Sequence, residues 1–542
     1  MKKFLIYAIS IIAVISVVIV LNFQKITTKY ITHVMEEQVS DQVKYQYDDE
    51  KTTKLKNKIN IDQFKSELTK MDDARFKSID KLVVNANIKD IQNMYDIKQI
   101  TCEELVTYYL KKIEKYDINK LNSIIELNPD VIKIAKEKDS GEKKGKLYGI
   151  PITLKGNIGT ADKMHTTAGA YALKDSVLDK DSFVAQKLRE EGAIILGKTN
   201  LSEWANYMSD KSSSGYSALG GQTHNAYGKY DVGGSSSGSA ASVAGGFSVA
   251  SIGTETAGSM IYPSSQNSVV GIKPSIGLVS RDRIIPIVKV QDTAGIVARN
   301  VDDTALILEA ISGYDANDVD TKEAEQYKEY YTKYIDENSV KGLKVAIIKP
   351  LGARNEELDI LKRIGKEFKD MGAKVIETKF SDEANNIEMS KALEVGFKYD
   401  INKYLKMAKV KGINELKDIV EFNKKDLDNR APYGQELLEN SLEDKTSIEE
   451  YEKLINKNRE KASKVIDDVL KNADVIISLS NQTSMVYAPA GYPALTVPAG
   501  YKTTGEPIGV TFVGSKFQEG KLIKIANIYE DNTKHRKDPN LK

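Results

Sequence analysis

Short apolar runs alternate with amphipathic segments along most of the chain. Each run is four to seven residues long, which is the length of a buried strand. They are GIPITL (149–154), AIIL (193–196), SVVGI (268–272), KVAII (344–348) and ADVIISL (473–479). Between the runs, residues 101–116 predict a helix that begins with a capping box of Thr101 and Glu104. Strands that alternate with helices predict an α/β domain with a covered sheet.

The N-terminus has a different pattern. Lys2 and Lys3 precede an uncharged apolar run from Phe4 to Leu21, and a helix of that length spans about 27 Å, close to the thickness of the hydrocarbon core. A cleaved signal peptide would have a shorter apolar core and an A-x-A-like exit, which NFQKITTK does not offer. Residues 1–27 therefore predict an uncleaved, single-pass anchor in the cell membrane. The short N-terminal tail most simply stays inside, which places the rest of the chain outside the cytoplasm.

The remaining chain divides into segments of different composition. Residues 28–87 are polar and rich in lysine and aspartate, and they predict a stalk that is partly helical or disordered. Residues 88–542 predict one domain, with a core at 88–313 and 471–535. Residues 314–470 are strongly charged and predict a mostly helical layer over that core.

Composition excludes several classes of protein. The 78 Lys and Arg residues nearly balance the 77 Asp and Glu residues, so the basic excess typical of nucleic-acid binders is missing and no nucleic-acid partner is expected. The single cysteine, Cys102, excludes an intramolecular disulfide and a cysteine-based metal cluster. We expect neither a metal nor a cofactor. Only four histidines occur, and none has a recognisable catalytic-triad setting.

One segment matches a nucleotide-binding pattern by its letters alone. Residues 192–199, GAIILGKT, fit G-x-x-x-x-G-K-[ST]. A phosphate-binding loop needs its middle residues in an open turn, whereas Ala-Ile-Ile-Leu is typical of a buried strand. We therefore predict a strand-to-loop junction here and no ATPase site.

The stretch from Gly233 to Ser259, GGSSSGSAASVAGGFSVASIGTETAGS, holds two serine sites next to glycines. A flexible linker is the alternative that its composition suggests. Against the linker, residues 239–249 carry alanine, valine and phenylalanine, and predicted strands flank the stretch. A serine in a tight glycine-rich loop, beside free N–H groups, is suited to acyl transfer.

Lys155 ends the predicted strand GIPITLK. Most lysines at strand ends lie on the surface, which is the simpler interpretation. A lysine that continues an aliphatic strand is, however, partly desolvated, and desolvation lowers its pKa. A neutral amine can accept a proton from serine, as a hydrolase with few histidines requires.

Taken together, these segments resemble the amidase signature family, from about Ile88 to the C-terminus. The resemblance rests on GIPITLKGN, ADKMHTTAGAYAL, AIILGKTNLSEWA, ALGGQTHNAYG, GGSSSGSAA, GTETAGSMIYP, VVGIKPSIGLVSR and AGYPALTVPAGY…PIGVTFVG. GGQTHNAYG and FKYDINKYL are more similar to the peptide-amidase-like branch than to the subunit that amidates glutamyl-tRNA. The resemblance implies a central mixed sheet covered by helices on both faces, and cleavage or transfer of carboxamides by a Ser–Ser–Lys triad.

The resemblance also implies a role for each matching residue. Ser259 matches the nucleophile that forms the acyl-enzyme, Ser235 the bridging serine that often follows a cis peptide, and Lys155 the general base. The oxyanion hole matches the backbone N–H groups of Thr256, Ala257, Gly258 and Ser259. We expect walls of the substrate pocket near Met208 and Ser209 and in residues 314–470.

Three positions depart from the family pattern. Gly156 stands where aspartate often follows the lysine, Ile261 where arginine often lies two residues past the nucleophile, and Ser237 where GGSSGG has glycine. None of these changes removes a triad residue.

The sequence thus predicts a membrane-anchored amidase that acts on a small carboxamide or a peptide amide. One alternative is a non-catalytic surface protein that retains the fold, but the intact triad argues against it. The other is an amidotransferase-type subunit, which would need partner subunits and an ammonia source. Nothing in this chain resembles a glutaminase site, since Cys102 lies on an early helix.

Overall fold

Within residues 53–337, 339–349 and 353–541, which are the part of the chain that the computed structural model describes, eleven strands form one mixed sheet. Its order is β1-β3-β2-β6-β8-β7-β12-β13-β11-β9-β10, and β4 and β5 form a separate hairpin. The strands are β1 (Ile124–Leu127), β2 (Pro151–Lys155), β3 (Ile194–Thr199), β4 (Tyr216–Ser217), β5 (Gly221–Gln222), β6 (Ala250–Glu255), β7 (Val270–Lys273), β8 (Thr293–Ala298), β9 (Lys344–Ile348), β10 (Lys374–Thr378), β11 (Val475–Leu479), β12 (Ala494–Tyr501) and β13 (Pro507–Val513).

Helices cover both faces of this sheet. Those of six residues or more are α1 (Lys65–Lys70), α2 (Asp73–Val83), α3 (Ile88–Asp96), α4 (Cys102–Tyr116), α5 (Val131–Ser140), α6 (Phe183–Glu190), α7 (Ser237–Ala244), α8 (Ile261–Gln266), α9 (Val301–Ile311), α10 (Asn355–Asp370), α11 (Met389–Ala408), α12 (Leu416–Lys424), α13 (Glu436–Glu443), α14 (Ile448–Leu470), α15 (Ser484–Ala490) and α16 (Glu519–Thr533). Successive residues of β11 enter opposite cores: Ile477 packs in the larger apolar cluster and Ile476 in another. The predicted α/β architecture is confirmed.

Two local predictions agree with the structure. Helix α4 begins with the capping box of Thr101 and Glu104, in which both reciprocal hydrogen bonds form. Residues 194–199, the end of the pattern that resembled a phosphate-binding loop, form the fully buried strand β3. Lys198 of that strand is buried and donates to the Ile158 carbonyl, so it is committed to the protein interior.

The predicted stalk at 28–87 needs correction over its described part. Phe64, Leu68 and Ile79, from α1, α2 and the turn before them, are buried in the same apolar cluster as the central strands. Asn57 N–H also donates to the Leu219 carbonyl at 2.8 Å. Single apolar residues at helical spacing bury one face of each short helix here, although the segment is polar on average. Residues 53–87 therefore belong to the domain.

The predicted charged layer, 314–470, is only partly a layer. It contributes β9 and β10, which extend the central sheet at one edge. Helices α11 to α14 lie outside the sheet, and Phe397 and Leu438 from them pack in a second apolar cluster with Trp204 and Tyr207.

The predicted membrane anchor, residues 1–27, lies outside the described residues. In the part of the chain that the structure describes, no helix combines the length and the apolar character that crossing a bilayer requires.

Candidate active site

Two parallel strands bring the predicted base and the predicted nucleophile to one edge of the sheet. Leu154 of β2 pairs with Ile252 of β6, and the two strands run in the same direction. Lys155 ends β2, and Glu255 ends β6. Because the carboxyl ends of parallel strands meet at the same edge, the loop that follows Glu255 lies beside Lys155.

The Lys155 ammonium lies in a cage of hydroxyl groups. Its Nζ is 2.8 Å from Ser235 Oγ, 3.0 Å from Ser236 Oγ and 2.8 Å from Thr254 Oγ1. The Thr254 carbonyl, at 3.2 Å, is a further acceptor. The lysine is fully buried, so its charge has no contact with bulk water.

Burial lowers the pKa of Lys155 to about 7, and the negative charges of Asp292 and Glu255 oppose this shift. Desolvation is the dominant cause because it disfavours the charged amine. Lys155 can therefore lose its proton near neutral pH, which an exposed lysine cannot do.

Neighbouring hydrogen bonds limit how the neutral amine is oriented. Ser236 donates its hydroxyl to the Thr254 carbonyl at 2.9 Å, so its oxygen is left to accept from Lys155. Asn157 Nδ2 donates to Thr254 Oγ1 at 3.1 Å and fixes that side chain. With its two N–H bonds donated within the cage, the amine can turn its lone pair to the Ser235 hydroxyl.

Ser235 is held by its backbone. The Gly234–Ser235 peptide is cis, and the Ser235 carbonyl accepts from Ser202 N–H at 3.1 Å. The next residue, Ser236, donates its N–H to the Ser259 carbonyl at 3.1 Å. One backbone hydrogen bond thus ties the two serine loops together.

Ser259 is the serine of this group that keeps some exposed surface, at 8% of its full value, whereas Ser235 and Ser236 have none. Among the described residues no hydrogen bond joins the hydroxyls of Ser259 and Ser235. The structure therefore places Lys155 and Ser235 in direct contact and brings Ser259 to them through the backbone.

Among the described residues, none of the four backbone N–H groups of residues 256–259 donates a hydrogen bond. By contrast, the two N–H groups that follow, those of Met260 and Ile261, both donate to Glu255 Oε2, at 2.7 and 3.0 Å. Glu255 therefore closes the turn after Ser259, and the preceding N–H groups are unpaired among the described residues, as an oxyanion hole requires.

Gly258 has a φ of +86°, in the left-handed region, and a Cβ added there would lie 3.0 Å from Asn481 Nδ2. We expect Gly258→Ala to lower kcat/KM by roughly 10- to 1000-fold, because a strained loop misplaces the oxyanion donors. Amide hydrolysis at matched folded concentration tests this. Gly342→Ala is the control, since Gly342 also has a positive φ but has no atom within 4 Å; equal loss in both variants would contradict the argument.

The three departures from the family pattern have local explanations. A Cβ at Gly156 would lie 3.2 Å from both Leu201 and the Thr199 carbonyl, so a larger residue there would need its neighbours to move. Ser237 donates its hydroxyl to the Gly233 carbonyl at 2.5 Å and closes the first serine loop. Ile261 is fully buried in an apolar cluster.

Met208 and Ser209, the predicted pocket residues, are both buried. Met208 packs in the apolar cluster with Trp204. Ser209 Oγ lies 2.8 Å from the Tyr433 carbonyl and 2.7 Å from Glu436 Oε1, so it joins the outer helices to the domain. Their contact with substrate stays a prediction.

Several residues of the site were not predicted from the sequence. Ser236, Thr254 and Asn157 surround Lys155, and Asn481 lies against Gly258. The sequence offered one signal for Thr254. It lies two positions before Thr256, and residues at that spacing face the same side of an extended segment. No local signal points to Asn481, because it comes from a distant part of the chain.

A cleft of about 490 Å³ lies on the part of the chain that follows Asn481, the neighbour of Gly258. Gln482 and Thr483, which follow Asn481, line it. Its other lining residues are Ile348, Lys349, Ala353, Glu357, Lys379, Phe380, Ser381, Asp382, Ala384, Asn385, Ser478, Met485 and Val486. Ala257 packs against the same apolar cluster as Phe380 and Val486, so residue 257 and two cleft residues contact one cluster.

A buried lysine that contacts a serine hydroxyl, beside a loop of free N–H groups, defines an enzyme of the acyl-transfer class. The amidase family model matches residues 104–486, and the chain belongs to the amidase family. It is 37% identical over 472 residues to a probable amidase of Arabidopsis thaliana, covering 84% of this chain and 92% of that protein.

Two solved structures are similar over nearly their whole length. An amidase family protein from Bacillus anthracis is 39% identical, with a TM-score of 0.85 and coverage of 89% of this chain and 97% of that one. The peptide amidase of Stenotrophomonas maltophilia is 34% identical, with a TM-score of 0.80 and coverage of 84% and 99%. The protein is therefore an amidase-signature enzyme, a hydrolase of amides.

Proposed function

We propose that the protein hydrolyses a carboxamide through an acyl-enzyme on Ser259, with Ser235 as the proton relay and Lys155 as the general base. The observation that carries the proposal is the 2.8 Å contact between Lys155 Nζ and Ser235 Oγ in a fully buried site. A buried amine with a pKa near neutrality is the acceptor that such a relay needs.

In the first half-reaction, Lys155 accepts the Ser235 proton while Ser235 accepts the proton of Ser259. The Ser259 oxygen attacks the amide carbon, and the carbonyl oxygen becomes an oxyanion at the N–H groups of residues 256–259. The C–N bond then breaks. The proton held by Lys155 returns through Ser235 to the leaving nitrogen, which departs as ammonia or an amine.

In the second half-reaction, water replaces the amine. Lys155 removes a proton from the water through the same hydroxyl relay, and the resulting hydroxide attacks the Ser259 ester. The ester bond breaks, the carboxylic acid leaves, and Ser259 recovers its proton from Lys155 through Ser235. Each residue thus ends the cycle in its starting state.

A small amide or a peptide amide is the substrate class that we propose. The 490 Å³ cleft lined by Gln482 and Thr483, which follow Asn481, has the size of a small-molecule or short-peptide site. The apolar side chains of Phe380 and Val486 and the polar side chain of Gln482 line this cleft. The similarity to a peptide amidase supports this class.

The experiment is a screen of small amides and C-terminally amidated dipeptides with the purified protein, with release of ammonia as the readout. The Ser259→Ala variant serves as the blank. Turnover of one of these classes, lost in the variant, is the expected result. Equal ammonia release by the variant would rule out Ser259 as the nucleophile.

We further propose that the apolar run from Phe4 to Leu21 anchors the enzyme in the cell membrane with the catalytic domain outside. The full-length protein is expected to stay in the membrane pellet after alkaline carbonate washing, whereas a form that starts at residue 28 is expected in the supernatant. Protease added to intact cells should digest the domain. Protection from that protease would contradict the orientation, and release of the full-length form by carbonate would contradict the anchor.

A further inference from the structure

Asp292 lies directly before β8, opposite the start of the oxyanion loop. Strands β6 and β8 are antiparallel with Glu255 paired to Thr293, so the next pair brings together Thr256 and Asp292. Asp292 Oδ1 accepts the Thr256 hydroxyl at 2.5 Å, and Oδ2 accepts Ile287 N–H at 2.9 Å. The carboxylate therefore holds the first residue of the oxyanion loop.

The same carboxylate lies near the cage around Lys155. Thr254, in β6, and Thr256, just after that strand, are two positions apart along the chain. Asp292, Thr254, Thr256 and Asn157 line one cavity of about 10 Å³. Since Thr254 Oγ1 is 2.8 Å from Lys155 Nζ, a single polar layer connects the carboxylate with the amine.

Burial raises the pKa of Asp292 to about 7; the Thr256 hydroxyl and Arg281 oppose the shift, and Asp400 adds to it. The other charge that acts on Lys155 is Glu255, whose Oε2 is occupied by two N–H groups. Of the two carboxylates, Asp292 is thus the one that accepts a hydrogen bond from a side chain of the oxyanion loop.

We propose that Asp292 is a positioning residue of the amidase reaction, which holds the oxyanion loop through Thr256 and whose negative charge sets the pH at which Lys155 becomes a proton acceptor. This inference rests on the proposed function of Lys155 as the base. A purely structural Asp292 would hold the loop but would leave the pH dependence of the reaction unchanged.

The test is Asp292→Asn in the full-length protein, with kcat/KM measured from pH 5 to 10. Asparagine can still accept the Thr256 hydroxyl, but it carries no charge. Without that negative charge the protonated amine is less stable, so the acid limb should move to lower pH by up to about one unit, less where the Asp292 carboxyl is itself protonated. The plateau should also fall, because asparagine cannot accept both hydrogen bonds of the carboxylate.

Asp400→Asn is the matched control. Asp400 accepts Lys289 N–H at 2.7 Å and contributes charge to the Asp292 site. Its removal favours ionised Asp292, so the acid limb should move to higher pH. Where Asp292→Asn fails to fold, a limb that moves to higher pH in Asp400→Asn supports the inference, and a limb that stays in place or moves to lower pH contradicts it.

An acid limb that stays in place in Asp292→Asn would overturn the inference, as would a shift to lower pH in Asp400→Asn. Either result leaves the proposed function intact as long as Lys155→Met shows a large loss of kcat/KM. Retained activity in Lys155→Met would instead remove the base itself, so the two failures are distinguishable.

Discussion

Ser259→Ala is expected to lower kcat for amide hydrolysis by roughly 10⁴-fold or more, because the acyl-enzyme cannot form without the hydroxyl. Binding should persist, since the N–H groups of residues 256–259 do not depend on that side chain. Single-turnover hydrolysis and trapping of the acyl-enzyme by mass spectrometry measure the effect. Wild-type protein should gain the mass of the acyl group, and the variant should gain none.

Ser242→Ala is the matched control for this loss. Ser242 is fully buried on α7, the helix that follows Ser235 and Ser236, and its hydroxyl donates to the Ser239 carbonyl at 3.0 Å. It contacts no residue of the site through that bond, so hydrolysis should fall by less than about tenfold. Comparable losses in the two variants would show that Ser259→Ala acts through folding.

Lys155→Met is expected to lower kcat/KM by roughly 10²- to 10⁴-fold, because Ser235 then has no proton acceptor. In the wild type, the rate should rise with pH to a plateau, with a midpoint near the Lys155 pKa of about 7. The sign follows from the mechanism, since only the unprotonated amine accepts the proton. The residual rate of Lys155→Met should lack that midpoint.

The Lys273→Met variant tests whether the loss of activity in Lys155→Met comes from catalysis or from the removal of any buried lysine. Lys273 is as buried as Lys155, burial lowers its pKa to about 8, and it donates to the Pro274 and Tyr492 carbonyls at 2.8 and 2.9 Å. Its loss leaves two carbonyls without a donor, which costs about 1–3 kcal/mol each in stability. The melting temperature should fall while kcat of the folded protein is retained. Equal loss of kcat in both lysine variants would count against Lys155 as the base.

The strand prediction followed from short runs of consecutive apolar residues. GIPITL and ADVIISL contain enough consecutive apolar residues to be buried on both sides, and β2 and β11 are interior strands of the sheet whose residues are all buried. The same short-range logic identified Lys155 as unusual, because a lysine that continues such a strand enters the interior with it.

Reasoning from local composition was wrong for the described part of the predicted stalk. Residues 53–87 have a polar average, yet Phe64 and Ile79 are buried against the domain. Average polarity measures how much surface a segment exposes, whereas attachment requires only one apolar face per helix. The partners of that face lie far along the chain, so the segment by itself does not reveal them.

By itself the sequence determined the family and the α/β class, and it predicted Ser235, Ser259 and Lys155 as the reacting residues, because these depend on local patterns of residue type. The tertiary structure alone decided the distances between these groups and the pKa values that set their charge. It placed Lys155 against Ser235 and Thr254, and set Asp292 beside Thr256 and Asn481 beside Gly258. Distances between residues of different strands, and the desolvation that lowers the pKa of a lysine, exist only after distant segments pack together.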